Sequence, residues 1–302
     1  MSTSPFQPSP APWFLLGAGN MGTLAAWYLR NADQAVTVLR RQGPARLDKT
    51  LCFADGRPAQ ALTLPVIAPA ALRAPIRRLI VACKTPYTDD ALAGLPLAGD
   101  LTVLRLQNGL GSLEGRLPRA ATLIEVVTTT AVKGQHPRHE IVAENHSWMG
   151  GPATPPAWFA TLARHWPGLA WSDAIRDRQW HKLIANAVIN PLTALHDVAN
   201  GRLLEDPALH AEAAALAAEA DTLLRRLDPH WPGDSLPQVM AVVRATAGNT
   251  SSMRADAQRG AVTEIDAING WLLRQAATLG LALPSHERIV AAVRARHPIG
   301  KQ

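Results

Sequence analysis

Cysteine is almost absent from this chain of 302 residues, with Cys52 and Cys83 as the only two. Two thiols cannot build a disulfide framework, and no Cys-x-x-Cys or Cys/His zinc spacing occurs, so a small stapled domain and a zinc module are both excluded. A reducing cytoplasm is the expected setting. Lysine is scarce too: Lys49, Lys84, Lys133, Lys182 and Lys301 stand against twenty-five arginines. Long apolar runs are also missing. The alanine-rich stretch from Ala208 to Leu224 is interrupted by His210, Glu212, Glu219 and Asp221, so no membrane span is expected. The first ten residues carry three prolines and no basic n-region, and they read as a flexible leader rather than a signal peptide.

What is present is a globular composition. Hydrophobic residues make up 47 % and charged residues 18 %, which excludes global disorder and leaves material for a sizeable core. The net charge of +6 is moderate, and the arginines are dispersed. No basic stripe with interleaved aromatics appears, so a nucleic-acid role is not expected. His136, His139 and His146 fall in a loop-rich stretch and read as solvated rather than as metal ligands.

The first half alternates apolar runs with turns and helical segments. Strands are expected at Trp13–Leu16, Ala35–Leu39, Leu79–Ala82, Leu101–Leu106 and Ala121–Val127, with a helix from Met21 to Arg30 after the first. Strands separated by helices imply a parallel sheet covered on both faces, and their continuous apolar character fits double-sided burial. From about Asp173 the pattern is helical only: Ile175–Leu195, Asp206–Leu227, Leu236–Ala247, Thr263–Leu279 and Ser285–Arg296. The expected class is α/β, with an N-terminal Rossmann-type doubly wound sheet over 11–172 and a C-terminal all-α domain over 173–302, after the leader 1–10.

Gly17-Ala18-Gly19-Asn20-Met21-Gly22 is a complete G-x-G-x-x-G between the first strand and the first helix. The first glycine turns the chain, the second lets backbone approach a pyrophosphate, and the third lets helix and strand pack closely. The helix N-terminus adds free N–H groups and a positive dipole end. A dinucleotide site is the expectation. The second strand ends in Leu39-Arg40-Arg41, with no acid to accept from a ribose 2′-hydroxyl. Arginine presents a planar fork to phosphate, so NADP is favoured over NAD, with Arg40 ahead of Arg41.

Lys182, Asn186 and Asn190 recur every four residues, which sets them on one helical face, while Leu183, Ile184, Val188 and Ile189 point to the core. Pro191 is expected to kink or end that helix. A lysine can give up a proton where guanidinium cannot. A second polar set comprises Asn249, Ser252 and Glu264; spacing alone makes Ser252 a helix cap and Thr263 with Asp266 a capping box. Lys84 and Asn108 follow sheet strands, where ligands of open α/β sheets collect.

Taken together these residues resemble the ketopantoate reductase family. The likeness runs from Gly17 to about Arg296 and rests on the glycine turn, Arg40, Lys84 in Val-Ala-Cys-Lys, and Asn108 in Gln-Asn-Gly-Leu-Gly. It continues through Lys182-Leu-x-x-Asn186-x-x-x-Asn190-Pro-Leu-Thr-Ala, Asn249-x-Ser-Ser252-Met-x-x-Asp256 and Thr263-Glu-Ile-Asp-x-Ile-Asn-Gly270. The resemblance implies NADPH-dependent reduction of 2-dehydropantoate to pantoate on the route to pantothenate and coenzyme A. It implies Lys182 as proton donor, with Glu264 beside it in catalysis. Cofactor contacts fall on Gly17, Ala18, Gly19, Asn20, Met21, Gly22, Arg40, Lys84 and Asn108, and substrate contacts on Asn186, Asn190, Asn249, Ser252 and Glu264. The expected partner is a small 2-keto acid, with no metal, nucleic acid or membrane, and the chain acts as a monomer or homodimer. Two alternatives remain open: a reductase of another 2-keto acid or a β-hydroxyacid dehydrogenase of similar architecture, and an NADP-sensing binding protein.

Overall fold

The computed structural model describes residues 11–152 and 154–297; the leader 1–10 and Lys301 lie outside them. The described chain divides into two compact units. The first takes residues up to Cys83, then Tyr87–Gln107 and Gly115–Ile175; the second takes Lys84–Pro86, Asn108–Glu114 and everything from Arg176. Two short segments that follow strands thus group with the helical half.

The first unit runs β1 (Trp13–Leu16), α1 (Asn20–Asn31), β2 (Val36–Leu39), β3 (Arg46–Phe53), β4 (Gln60–Ile67), β5 (Ile76–Val81), α2 (Thr88–Leu92), β6 (Leu97–Arg105), β7 (Thr122–Thr128), β8 (Ala131–Gln135), β9 (Arg138–Ala143), β10 (Ser147–Gly150), α3 (Phe159–His165) and β11 (Leu169–Trp171). All eleven strands join one sheet, ordered β11-β10-β7-β6-β5-β1-β2-β4-β3-β9-β8. The run from β7 to β4 through β1 is parallel throughout. Leu15, Leu79, Ile80, Val103 and Leu104 of its strands are fully buried, as central parallel strands require. Helix α1 buries Leu24, Ala25, Ala26, Tyr28 and Leu29 in the same core.

The sheet is mixed rather than parallel throughout: β10 pairs antiparallel with β7, β3 and β4 form an antiparallel hairpin across the Asp55-Gly56 turn, and β9 and β8 extend the sheet beyond β3. Neither β3 nor β4 was among the expected strands. In β3 the alternation is real, with Leu47, Leu51 and Phe53 inward, but a lysine holds the remaining inward place. His139, expected in solvent, is instead buried on β9.

The second unit is built of α4 (Ile175–His196), α5 (Arg202–Glu205), α6 (Pro207–Leu227), α7 (Ser235–Ala245), α8 (Ser252–Gln258), α9 (Ile265–Thr278) and α10 (Pro284–Arg296). Its core gathers Leu183, Ile184, Val188 and Leu192 of α4 with Leu216, Leu223 and Leu224 of α6, Ile268 and Leu272 of α9, and Val293 of α10. Each fully buried aliphatic side chain contributes about 1.5–3 kcal/mol. Asp206 caps α6 by accepting from the Ala208 and Leu209 N–H groups, with Pro207 in the first turn. Helix α4 does not end at Pro191; it continues to His196. The expected caps differ as well. Ser251, not Ser252, caps α8 by accepting from Arg254 N–H, and Glu264 precedes α9 without any side-chain cap bond.

Candidate functional site

In the first unit, the turn between β1 and α1 has the form a phosphate cradle needs. Gly17 adopts φ +91°, and a Cβ there would lie 2.3 Å from the Cys83 nitrogen. At Gly22 a Cβ would meet the Gly17 carbonyl oxygen at 1.9 Å, so only glycine permits this approach of helix to turn. A Cβ at Gly19, by contrast, would enter open space. That space borders the start of α1, whose first turn has no acidic residue and no side-chain cap. An uncapped, acid-free helix start beside open space suits an anionic group, so the residues present fit a dinucleotide's phosphates.

Arg40 follows β2 and is exposed. Among the described residues nothing forms a hydrogen bond or ion pair with its guanidinium. Arg41 is already engaged, donating to the Asp90 carbonyl. Of the two arginines Arg40 is therefore the one left open to a phosphate.

In the second unit the polar residues converge on Glu264, which is 8 % exposed. Its Oε1 accepts from the Thr85 N–H at 3.0 Å and from Thr85 Oγ1 at 2.8 Å, and its Oε2 lies 3.4 Å from Asn108 Nδ2. The Leu110 N–H donates to the Ala267 carbonyl and pins the segment carrying Asn108 to α9. Lys84 goes elsewhere: its ammonium pairs with buried Asp256 at 2.6 Å, and Asp256 also holds Arg259.

Lys182 lies on α4 and feels the Glu264 carboxylate. Desolvation brings its pKa down to about 8, and the charge of Glu264 opposes that shift. Among the described residues its ammonium has no hydrogen-bond or ion-pair partner. One turn on, Asn186 Nδ2 is buried with no partner among the described residues, and a further turn on Asn190 is buried. An orphaned buried amide on the same helical face as a desolvated ammonium is a set of donors suited to oxygen acceptors. Asn249 and Ser252 are exposed before and at the start of α8. Ser251 is committed to its cap and to the Thr193 hydroxyl at 2.7 Å, so Ser252 carries the open hydroxyl of the pair.

The structure thus brings Lys182, Glu264 and Asn108 into one electrostatic group and pairs Lys84 with Asp256. The glycine turn and Arg40 form a separate group in the first unit. Sequence reasoning missed Thr85, which supplies two of the three donors to Glu264; only its place after a strand end marks it. Among the described residues no cluster of metal-ligating side chains occurs, and no helix is long and apolar enough to cross a membrane.

A family model described as "Ketopantoate reductase PanE/ApbA" matches residues 13–151, and one described as "Ketopantoate reductase PanE/ApbA C terminal" matches residues 174–297. A 2-dehydropantoate 2-reductase of Shigella flexneri is 33 % identical over 223 residues, covering 72 % of this chain and 73 % of that protein. Among solved structures, a dimeric ketopantoate reductase from Staphylococcus aureus matches with a TM-score of 0.81 at 19 % identity, covering 95 % of this chain and 98 % of its own. A D-mandelate dehydrogenase, solved with NADH and anilino(oxo)acetate, gives a TM-score of 0.80 at 19 % identity with the same coverage. At such identities the structural likeness speaks for the fold alone.

Proposed function

Because the chain belongs to the ketopantoate reductase family, whose members are oxidoreductases, we propose that it reduces 2-dehydropantoate to (R)-pantoate with NADPH, in the synthesis of pantothenate and coenzyme A. What supports this reading is the set on one face of α4 and its neighbour Glu264: Lys182, the buried Asn186 Nδ2 one turn on, and a carboxylate fixed by Thr85 and Asn108. Desolvation brings the Lys182 pKa down to about 8, and the charge of Glu264 opposes that shift. A donor with a pKa near working pH both holds a proton and releases it.

The reduced nicotinamide, when bound, supplies hydride to the keto carbon. Lys182 Nζ stabilises the negative charge that grows on the carbonyl oxygen and then protonates it, an interaction strongest in the transition state. Asn186 offers its unpartnered Nδ2, and Asn190 extends the same helical face. Ser252 and Asn249 hold the substrate carboxylate. Glu264 keeps Lys182 cationic, and its carboxylate retains acceptor capacity for a substrate hydroxyl beyond the bonds from Thr85 and Asn108. Gly17, Ala18, Gly19, Asn20, Met21 and Gly22 hold the pyrophosphate, Arg40 the 2′-phosphate, and Lys84 and Asn108 the remainder of the cofactor. The assembly is a monomer or a homodimer, the second as in the dimeric S. aureus protein, and the setting is the cytoplasm.

A second reading, a different 2-keto acid, draws on the D-mandelate dehydrogenase neighbour, which was solved with NADH and an oxo acid. One experiment separates the two. Oxidation of NADPH and of NADH is followed with ketopantoate, pyruvate, 2-ketoisovalerate and phenylglyoxylate. The highest kcat/KM is expected for ketopantoate with NADPH. A higher value for another acid selects the second reading, and no oxidation with any of them sinks both.

A further inference from the structure

Lys49 occupies an inward position of β3 and is 4 % exposed. Its Nζ donates to the Ala18 carbonyl, in the glycine turn, at 2.8 Å. The same ammonium lies 3.1 Å from His139 Nε2 on β9, and His139 Nδ1 lies 2.7 Å from Asn20 Oδ1 at the start of α1. An ammonium has donors only, so Nε2 accepts. The proton of the neutral ring then sits on Nδ1 and is donated to Asn20. Burial first, and then the charges of Lys49 and His136, holds the pKa of His139 down to about 4, which keeps the ring in that neutral form. Lys49 and His139 thus grip the turn on both sides of Gly19.

The charge balance makes this more than a brace. The bonded partners of Lys49 are a carbonyl oxygen and a neutral ring, and among the described residues no carboxylate pairs with it. The charged group that acts on it is a second cation, Arg40. Burying a cation without a counter-charge, beside another of the same sign, is unfavourable until an anion arrives. The open volume at Gly19 and the acid-free first turn of α1 offer a place for one.

We propose that Lys49, held in place by His139, is a second cation of the dinucleotide site and acts on the pyrophosphate that the glycine turn would hold. This rests on the dinucleotide-binding reading given above. Lys49 is a positioning and electrostatic residue, acting through the turn and through its field rather than on reacting atoms.

Binding of NADPH and of NADH to the full chain, without keto acid, is measured by nucleotide fluorescence across a salt series. Lys49→Gln keeps a donor for the Ala18 carbonyl but removes the charge, Lys49→Met removes both, and Lys49→Arg keeps the charge. Both neutral variants are expected to bind NADPH and NADH about tenfold more weakly, with a shallower salt dependence for each, and Lys49→Arg to recover most of the loss. Wild-type affinity for both nucleotides in Lys49→Gln, or a loss with unchanged salt dependence, overturns the electrostatic role and leaves a brace. If the unaltered protein binds neither nucleotide, the underlying reading fails instead.

Discussion

Asn269 Nδ2 on α9 donates to the Ala187 carbonyl of α4 at 2.8 Å. Ala187 stands four residues before Pro191, which has no N–H to return to it. The side chain of one helix thus satisfies the backbone group that the proline of another leaves open, and α4 passes through Pro191 without losing a buried bond. The same Nδ2 lies 3.1 Å from His286 Nδ1, and His286 Nε2 faces the Leu216 carbonyl at 3.0 Å, so one chain of polar contacts ties α4, α9, α10 and α6.

Asn269→Leu strands the Ala187 carbonyl and is expected to cost about 1–3 kcal/mol in urea unfolding. Adding Pro191→Ala supplies the missing N–H, and the double variant is expected to lose less than the sum of the two single changes. Strict additivity would show that the positions are not coupled.

Lys182→Ala is expected to lower turnover by about 10² to 10³ while leaving NADPH affinity nearly unchanged, because a donor to developing charge acts in the transition state. Steady-state kinetics and nucleotide titration together check this. Turnover close to that of the parent removes Lys182 from the role.

The pH profile carries the sign of the Glu264 interaction. Reduction needs the Lys182 proton, so kcat/KM should fall as pH rises through about 8. Glu264 raises that pKa, so Glu264→Gln is expected to move the falling limb to lower pH. A limb that stays in place refutes the coupling.

Arg40→Ala should raise KM for NADPH by about tenfold to a hundredfold and leave KM for NADH little changed, the size of a lost charge-assisted contact. Parallel increases with both cofactors would contradict 2′-phosphate recognition by this guanidinium.

His139 contributes to acid sensitivity. Its folded pKa of about 4 lies below the ordinary 6.5, so between these values the unfolded chain binds more protons and stability falls as pH falls. Burial lowers His181 and His286 in the same sense, so the readout is a difference. His139→Gln should flatten the decline of unfolding free energy from pH 6.5 to 4 relative to the parent; an identical slope would exclude the ring.

Much of the fold is legible in local pattern. The glycine turn between an apolar strand and a helix needs no tertiary information, and neither does the four-residue recurrence of Lys182, Asn186 and Asn190 over a buried face. β3 escapes because a charged residue holds an inward place, and hydrophobic periodicity cannot distinguish a lysine with buried partners from one in water. Ser251 and Ser252 show the same limit. Either serine fits the spacing of a cap, and only the helix start and the Thr193 hydroxyl decide between them.

The sequence by itself determined the backbone geometry of the turn, the helical faces and the absence of an acid after β2, because each depends on neighbours within a few residues. Tertiary structure alone decided which charges are compensated. Thr85 reaches Glu264 across 179 positions, His139 reaches Lys49 across 90, and Asn269 reaches Ala187 across 82. Solvation and pairing at such separations follow from packing, which no local pattern encodes.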